Sequence, residues 1–183
     1  MKKFVFPVLL LLLYSCSTIT VTADYDKDVD FSTYKTFSLM SWREDNNKLL
    51  TPFDKKRIEE AVKNEMTARN YTYQETGGEL AISVFIILED RTSYNSYTDY
   101  YGRYGYYYGT PWGWGGPART TVSRYDYTQG TIIFNVFDAK EKKLVWQGTA
   151  IGEVDSKPAN NEKNIKQVVN KVFIKYPINK SVK

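Results

Sequence analysis

Leu80-Ala81-Ile82-Ser83-Val84-Phe85-Ile86-Ile87-Leu88-Glu89-Asp90 is the stretch whose reading decides the fold. Leu80, Ile82, Val84, Ile86 and Leu88 fall on one side of an extended chain, and Ala81, Ser83, Phe85, Ile87 and Glu89 on the other. Both sides are mostly apolar, which predicts a central strand covered on much of both faces. Gly77-Gly78 turns the chain into it.

Downstream, residues 119–128 alternate more weakly, with Thr121, Ser123, Tyr125 and Tyr127 on one side. They read as an antiparallel partner with a wet face. Gly130 then opens a further strand, Thr131 to Phe137, and residues 138–143 form a polar hairpin turn. The return strand, Leu144 to Val154, carries Trp146 beside Gly148 and Gly152, small residues that let the ring lie flat on the sheet as core. Upstream, Thr18 to Ala23 and Tyr34 to Leu39 read as strands, separated by the turn-rich acids Asp24, Asp26, Asp28 and Asp30.

Two helices complete the pattern. Thr51 is placed as N-cap with Pro52 at the first helical position and Asp54 near the positive dipole end. Ile58, Ala61, Val62 and Met66 share its inner face, Lys55, Lys56, Glu59, Glu60 and Lys63 its solvated one, and it should end near Asn70. The second helix carries Ile165, Val168, Val169, Val172 and Phe173 on one stripe, with Asn161 as N-cap and Pro177 as stop. Its β-branched residues have weak helical propensity, so docking on the sheet must hold it. The expected fold class is α+β: an antiparallel sheet of four to six strands, two main helices on one face, and a long loop. No internal repeat is present.

Length and chemistry narrow the rest. The chain has 183 residues, no histidine and one cysteine, which suits a single domain and removes Ser-His-Asp catalysis, histidine-ligated metal and an internal disulfide. Residues 1–15 read as a lipoprotein signal peptide and residues 16–183 as one domain. Lys2 and Lys3 precede an apolar run from Phe4 to Leu13, about half the length that spans a bilayer. Leu13-Tyr14-Ser15-Cys16 resembles the lipobox of bacterial lipoproteins. That resemblance implies that Cys16 is the lipid attachment site, thioether-linked and acylated (a palmitate-type chain) on its new amine. Several acyl chains anchor a protein stably where one does so only marginally. Ser17 in place of aspartate favours the outer membrane. No acidic run follows Cys16, which favours the periplasmic face over the cell surface. Removing Lys2 and Lys3 lowers the net charge from +4 to +2, too weak a field for nucleic acid.

Residues 94–118 form a low-complexity aromatic loop holding eight of the sixteen tyrosines and six of the eleven glycines. Three readings compete for it. It is a self-packing low-complexity loop, a binding surface for a glycan, peptidoglycan or an envelope protein, or a contact with the membrane interface. The candidate binding residues are Tyr101, Tyr104, Tyr106, Tyr107, Tyr108, Trp112 and Trp114.

The chemistry left for catalysis is carboxylate chemistry. Asp24/Asp26, Glu59/Glu60 and Glu89/Asp90 are the candidate pairs for a glycan hydrolase, but none has a spacing that specifies one. The alternating acids from Asp24 to Asp30 faintly resemble a calcium loop without its glycine or distal glutamate. Gly102, Gly105 and Gly109 lack the lysine-serine and helix start of a phosphate loop. No cofactor, metal site or catalytic residue is expected.

Several phrases in order resemble the bacterial lipoprotein family known as domain of unknown function 4136. They are Asp24-Tyr25-Asp26, Asp30-Phe31-Ser32-Thr33-Tyr34-Lys35-Thr36-Phe37, Gly130-Thr131-Ile132, Val136-Phe137-Asp138-Ala139, Leu144-Val145-Trp146-Gln147-Gly148-Thr149-Ala150 and Phe173-Ile174-Lys175-Tyr176-Pro177. Glu79 stands where the family usually has aspartate. The resemblance implies an envelope lipoprotein with an α+β domain and no assigned activity. Within the Asp-Phe-x-x-Tyr phrase, Asp30 is read as capping a turn while Phe31 and Tyr34 pack inward. The functional expectation is a non-enzymatic, lipid-anchored envelope protein that binds or tethers a partner through the aromatic loop. An accessory structural subunit of an envelope assembly is the alternative, and a carboxylate-based glycan hydrolase the third.

Overall fold

The computed structural model describes residues 19–99, 119–154 and 161–181. Its elements are β1 (Thr20–Tyr25), β2 (Thr36–Leu39), α1 (Glu44–Leu49), α2 (Pro52–Thr67), β3 (Thr72–Tyr73), β4 (Leu80–Asp99), β5 (Arg119–Asp138), β6 (Lys143–Glu153) and α3 (Asn161–Phe173). The strands form one six-stranded sheet in the order β1-β6-β5-β4-β2-β3. The α+β class holds, but the sheet is mixed and not antiparallel throughout. β2 runs parallel to both β3 and β4. The reason lies in the connection: α2 carries the chain from the end of β2 back to its start, so β3 must run the same way. Gly77, at φ 73°, makes the left-handed turn that then leads into β4.

Two strands are longer than the pattern implies. β4 continues past Asp90 to Asp99, so Tyr94 to Asp99 belong to a strand and not to a loop. β5 passes through Gly130 without a break. That glycine faces Leu88, and a Cβ there would press on Val154 at 2.7 Å, so its smallness serves packing rather than a strand start. The expected hairpin is present between β5 and β6, with a bulge at Val136/Phe137.

Both helices lie on one face. Phe37, Leu80, Ile82, Phe134, Val136 and Trp146 from the sheet meet Ile58, Val62, Met66, Val169, Val172 and Phe173 from α2 and α3, all nearly inaccessible to solvent. The other face of β4 is less covered than its apolar sequence suggests: Ala81, Ser83 and Phe85 are half-buried and Ile87 is 42% exposed. Trp146 is fully buried against Phe173 and Tyr176, as expected of a core residue. Gly148 lies under its ring, whereas Gly152 abuts Ile19 instead.

Capping at Thr51 is as the sequence indicates: its hydroxyl accepts from the Asp54 backbone N–H at 3.1 Å. Asn70, near the expected helix end, takes φ 69°. α1 has no counterpart in the hydrophobic pattern. It is held by Asn46, buried, whose Nδ2 donates to the Ile86 carbonyl at 2.8 Å where β2 no longer covers that edge of β4. Asp30 caps its turn, accepting from the Ser32 backbone at 3.0 Å, with Phe31 buried. The Tyr34 hydroxyl donates to Asp138 at 2.9 Å. Burial, then that carboxylate, pushes the Tyr34 pKa up to about 12.

Val169 gives a direct check on how α3 is held. It is fully buried, so Val169→Asp should lower the unfolding free energy by more than about 3 kcal/mol by burying an unpaired charge. Ile174→Asp, at a site 65% exposed, should change it by less than about 0.5 kcal/mol. Urea unfolding of the two variants measures the contrast, and similar losses at both sites would contradict the docking.

Candidate functional site

β6 ends at Glu153 opposite Gln129, and β2 pairs with β4 only as far as Ile82. After a last bond from the Val154 N–H to the Thr128 carbonyl at 2.9 Å, β4 and β5 pair with each other alone, from Arg91↔Tyr127 to Asp99↔Arg119. The result is a two-stranded ribbon that projects about 30 Å past the sheet at ordinary strand rise. Its far ends lead into and out of residues 100–118.

Continuous register gives the ribbon two distinct faces. Tyr94, Asp90, Thr92, Arg124, Asp126 and Thr128 lie on the side where the helices pack. There the Thr92 hydroxyl donates to Asp126 at 2.7 Å, Arg124 Nε donates to the same oxygen at 3.1 Å, and the Thr128 hydroxyl donates to Asp90 at 3.1 Å. Thr92 and then Arg124 hold the Asp126 carboxyl below its usual range. The outer face carries Tyr125 and Tyr127, whose rings stack at 6.0 Å and 16°. The Tyr125 hydroxyl donates to Glu153 at 2.7 Å, which pushes its pKa up. Beside them Arg91 pairs with Glu89. Aromatic planes with polar edges suit stacking and interfacial contact.

The sequence-derived candidates are distributed unevenly. Cys16 and the aromatics Tyr101, Tyr104, Tyr106, Tyr107, Tyr108, Trp112 and Trp114 lie outside the described residues. The carboxylate pairs do not converge. Glu89 and Asp90 point to opposite faces of the ribbon. Glu59, placed on a solvated face by its spacing, accepts from Trp42 Nε1 at 2.6 Å, and Glu60 lies 3.9 Å from Lys56. Asp24 accepts from the Tyr25 backbone, while Asp26 pairs with Lys143. Lys63 also leaves its expected solvent role and sits 4.0 Å over the Tyr73 ring. Among the described residues, no cluster of three or more histidine, cysteine or acidic side chains could hold a metal ion.

Sequence reading did not single out two features. The Tyr125/Tyr127 stack was visible only as alternation, with no sign that the strand outran its neighbours. The other is a buried polar knot at the C-terminal end of α2. Arg69, 5% exposed, donates to Glu65 Oε2 at 2.8 Å, to the Glu65 carbonyl at 2.7 Å, to the Phe173 carbonyl and to the Ile178 carbonyl at 2.8 Å. Glu65 also accepts from Asn170 and Lys180, both at 2.9 Å. Its burial raises the pKa, and the bonds from Asn170, Arg69 and Lys180 more than reverse that. Every one of these partners belongs to the fold, so the knot reads as structural.

A family model described as Domain of unknown function (DUF4136) matches residues 21–178. Among solved structures, the chain is similar to a PDZ domain protein from Parabacteroides distasonis, with a TM-score of 0.55 and 17% identity. That match covers 89% of this chain and 37% of that one, so the chain spans well under half of that protein's length. A PelC dodecamer from Paraburkholderia phytofirmans matches with a TM-score of 0.46 and 13% identity, over 84% of this chain and 93% of that one. No curated protein matches. At these identities the likeness to the PDZ domain protein shows the fold alone.

Proposed function

The chain belongs to the DUF4136 family, a domain of unknown function, and from that premise we propose that it is a non-enzymatic, lipid-anchored protein of the cell envelope that holds a partner at the outer membrane. The reading takes Cys16 as the lipid attachment site, with the domain on the periplasmic face. The observation that carries it is the ribbon of β4 and β5, whose far ends, Asp99 and Arg119, bracket the tyrosine- and tryptophan-rich residues 100–118 in the sequence. A scaffold that carries an aromatic-rich connecting segment is a common binding arrangement. Anchoring makes partner capture a high-effective-concentration event at the membrane, which is how such a protein would tether an envelope protein or a glycan. No cofactor enters this reading. Absence of histidine and the engaged state of the paired carboxylates support a non-catalytic role.

Two experiments test it. Metabolic labelling with an alkynyl palmitate analogue should tag the wild-type protein and not Cys16→Ser. Photo-crosslinking in cells from Tyr107 and Trp114 should capture a discrete protein or glycan, while Lys56, exposed on α2, should not. Absence of label on the wild-type protein, or equal label on Cys16→Ser, would remove the anchor from the reading. Self-only adducts, or the same adducts from Lys56, would remove the aromatic segment from it.

A further inference from the structure

We propose that the outer face of the β4–β5 ribbon lies on the lipid surface, with Tyr125 and Tyr127 at headgroup depth. The inference rests on the lipid-anchor reading of Cys16 and adds a pose to it. Thr20 is joined across the sheet to Ile151, Thr131 and Ile87, so the first residue of β1 stands level with the root of the ribbon. The chain from Cys16 to Thr20 reaches at most about 14 Å when fully extended. From the same row, β4 continues to Asp99, about 40 Å further at ordinary strand rise.

These lengths eliminate both end-on poses. With the ribbon pointing at the bilayer, its tip would pass the plane that the tether can reach by about 25 Å. With the ribbon pointing away, β4 from Ile87 back to Leu80 places about 23 Å of sheet between Thr20 and the bilayer, again more than the tether spans. The strands must therefore lie within about 20° of the membrane plane when the ribbon tip dips toward it and within about 40° when the tip rises, as the ratios of tether to ribbon and to sheet length require.

Composition selects the side. The helix-side face interposes α2 and α3, a layer about 10 Å thick. The outer face, free of α2 and α3, runs from Phe85, over which Arg43 sits at 4.7 Å, through Ile87 and Ile133 to the stacked Tyr125 and Tyr127. Of its charges, Glu89 pairs with Arg91, while Glu153 keeps its negative charge and accepts from the Tyr125 hydroxyl. Tyrosine beside internally paired polar groups belongs at the headgroup level and not in the hydrocarbon core. The bilayer is thus met by the outer face of the sheet and ribbon.

The test uses the full lipidated chain in vesicles of phosphatidylethanolamine and phosphatidylglycerol. Cys16 is the single cysteine, so an introduced thiol takes a fluorophore uniquely. Ser123→Cys places it on the outer face, Val122→Cys on the helix side, and Thr67→Cys on α2. Headgroup-level nitroxide lipids should quench the Ser123 label at least about threefold more than the other two, as interfacial placement of that face demands. Combining Tyr125→Ser and Tyr127→Ser should bring the Ser123 signal down to that of Val122. Failure of the protein to sediment with vesicles would overturn the anchor, and this pose with it. Sedimentation with equal quenching at Ser123 and Val122 would overturn the pose alone.

Discussion

Arg69→Ala will lower the unfolding free energy by about 3 kcal/mol, because it strips one of two cationic partners from a buried carboxylate and removes the packing of its own buried side chain. Glu65 would keep only Asn170 and Lys180, the Ile178 carbonyl would lose the Arg69 donor, and the Phe173 carbonyl would keep only the Tyr176 N–H at 3.0 Å. Arg69→Lys should recover little, since an ammonium cannot reproduce the planar fork that reaches Glu65, Phe173 and Ile178 together. Urea unfolding measures both, and a loss below about 1 kcal/mol for alanine would show the knot to be replaceable. The same knot sets an acid limit. The Glu65 carboxyl is held below its ordinary value of 4.5. Its contribution is complete above that value and is lost as pH falls through the lowered one. Stability measured against pH should therefore fall more gently below 4.5 in Arg69→Ala than in the wild type, because the variant starts with less of that contribution.

Gly148→Ala is expected to be the second most damaging change. A Cβ at position 148 would collide with the Trp146 ring and with Val172 of α3. Neither can move freely: both are fully buried, and the ring is held against Phe173 and Tyr176. Overpacking of this kind costs typically 1–3 kcal/mol, and a wedge between a strand and its helix belongs at or above about 3 kcal/mol. Loss of the near-ultraviolet circular dichroism of Trp146 should accompany the fall in melting temperature. Trp146→Leu is itself damaging, but combining it with Gly148→Ala should cost clearly less than the two losses added, because the leucine frees the space. Strict additivity would mean that the glycine is required for some other reason.

Most of the fold was legible because its signals are local. Alternation at Leu80 to Leu88 located the central strand, and the stripe from Ile165 to Phe173 located α3. Thr51, Pro52 and Asp54 marked the start of α2. What failed depended on partners far along the chain. The parallel pairing of β2 follows from where α2 returns the chain, which no strand sequence records. Gly130 read as a boundary because a glycine required by Val154 looks the same as one required by a turn. α1 depends on Asn46 reaching one carbonyl of β4, so it has no apolar period to detect. For the site, the aromatic richness of residues 94–118 was plain. The ribbon that presents them was not, because strand length past Asp90 shows only in the register with β5.

The place of β1 bears on how the chain comes together. β1 opens the described structure, yet its sole neighbour in the sheet is β6, from the far end of the sequence. Its hydrogen bonds must wait for β6 to exist and for the long loop between them to close, an entropic cost that rises with the logarithm of loop length. Pairings of such sequence separation form late and slow the folding of the whole. Made N-terminus first, the chain would have β1 waiting, unpaired, while the β4–β5–β6 meander assembles from nearer neighbours. Any chain cut short before Lys143 would leave that strand exposed, an open edge available for pairing with other chains.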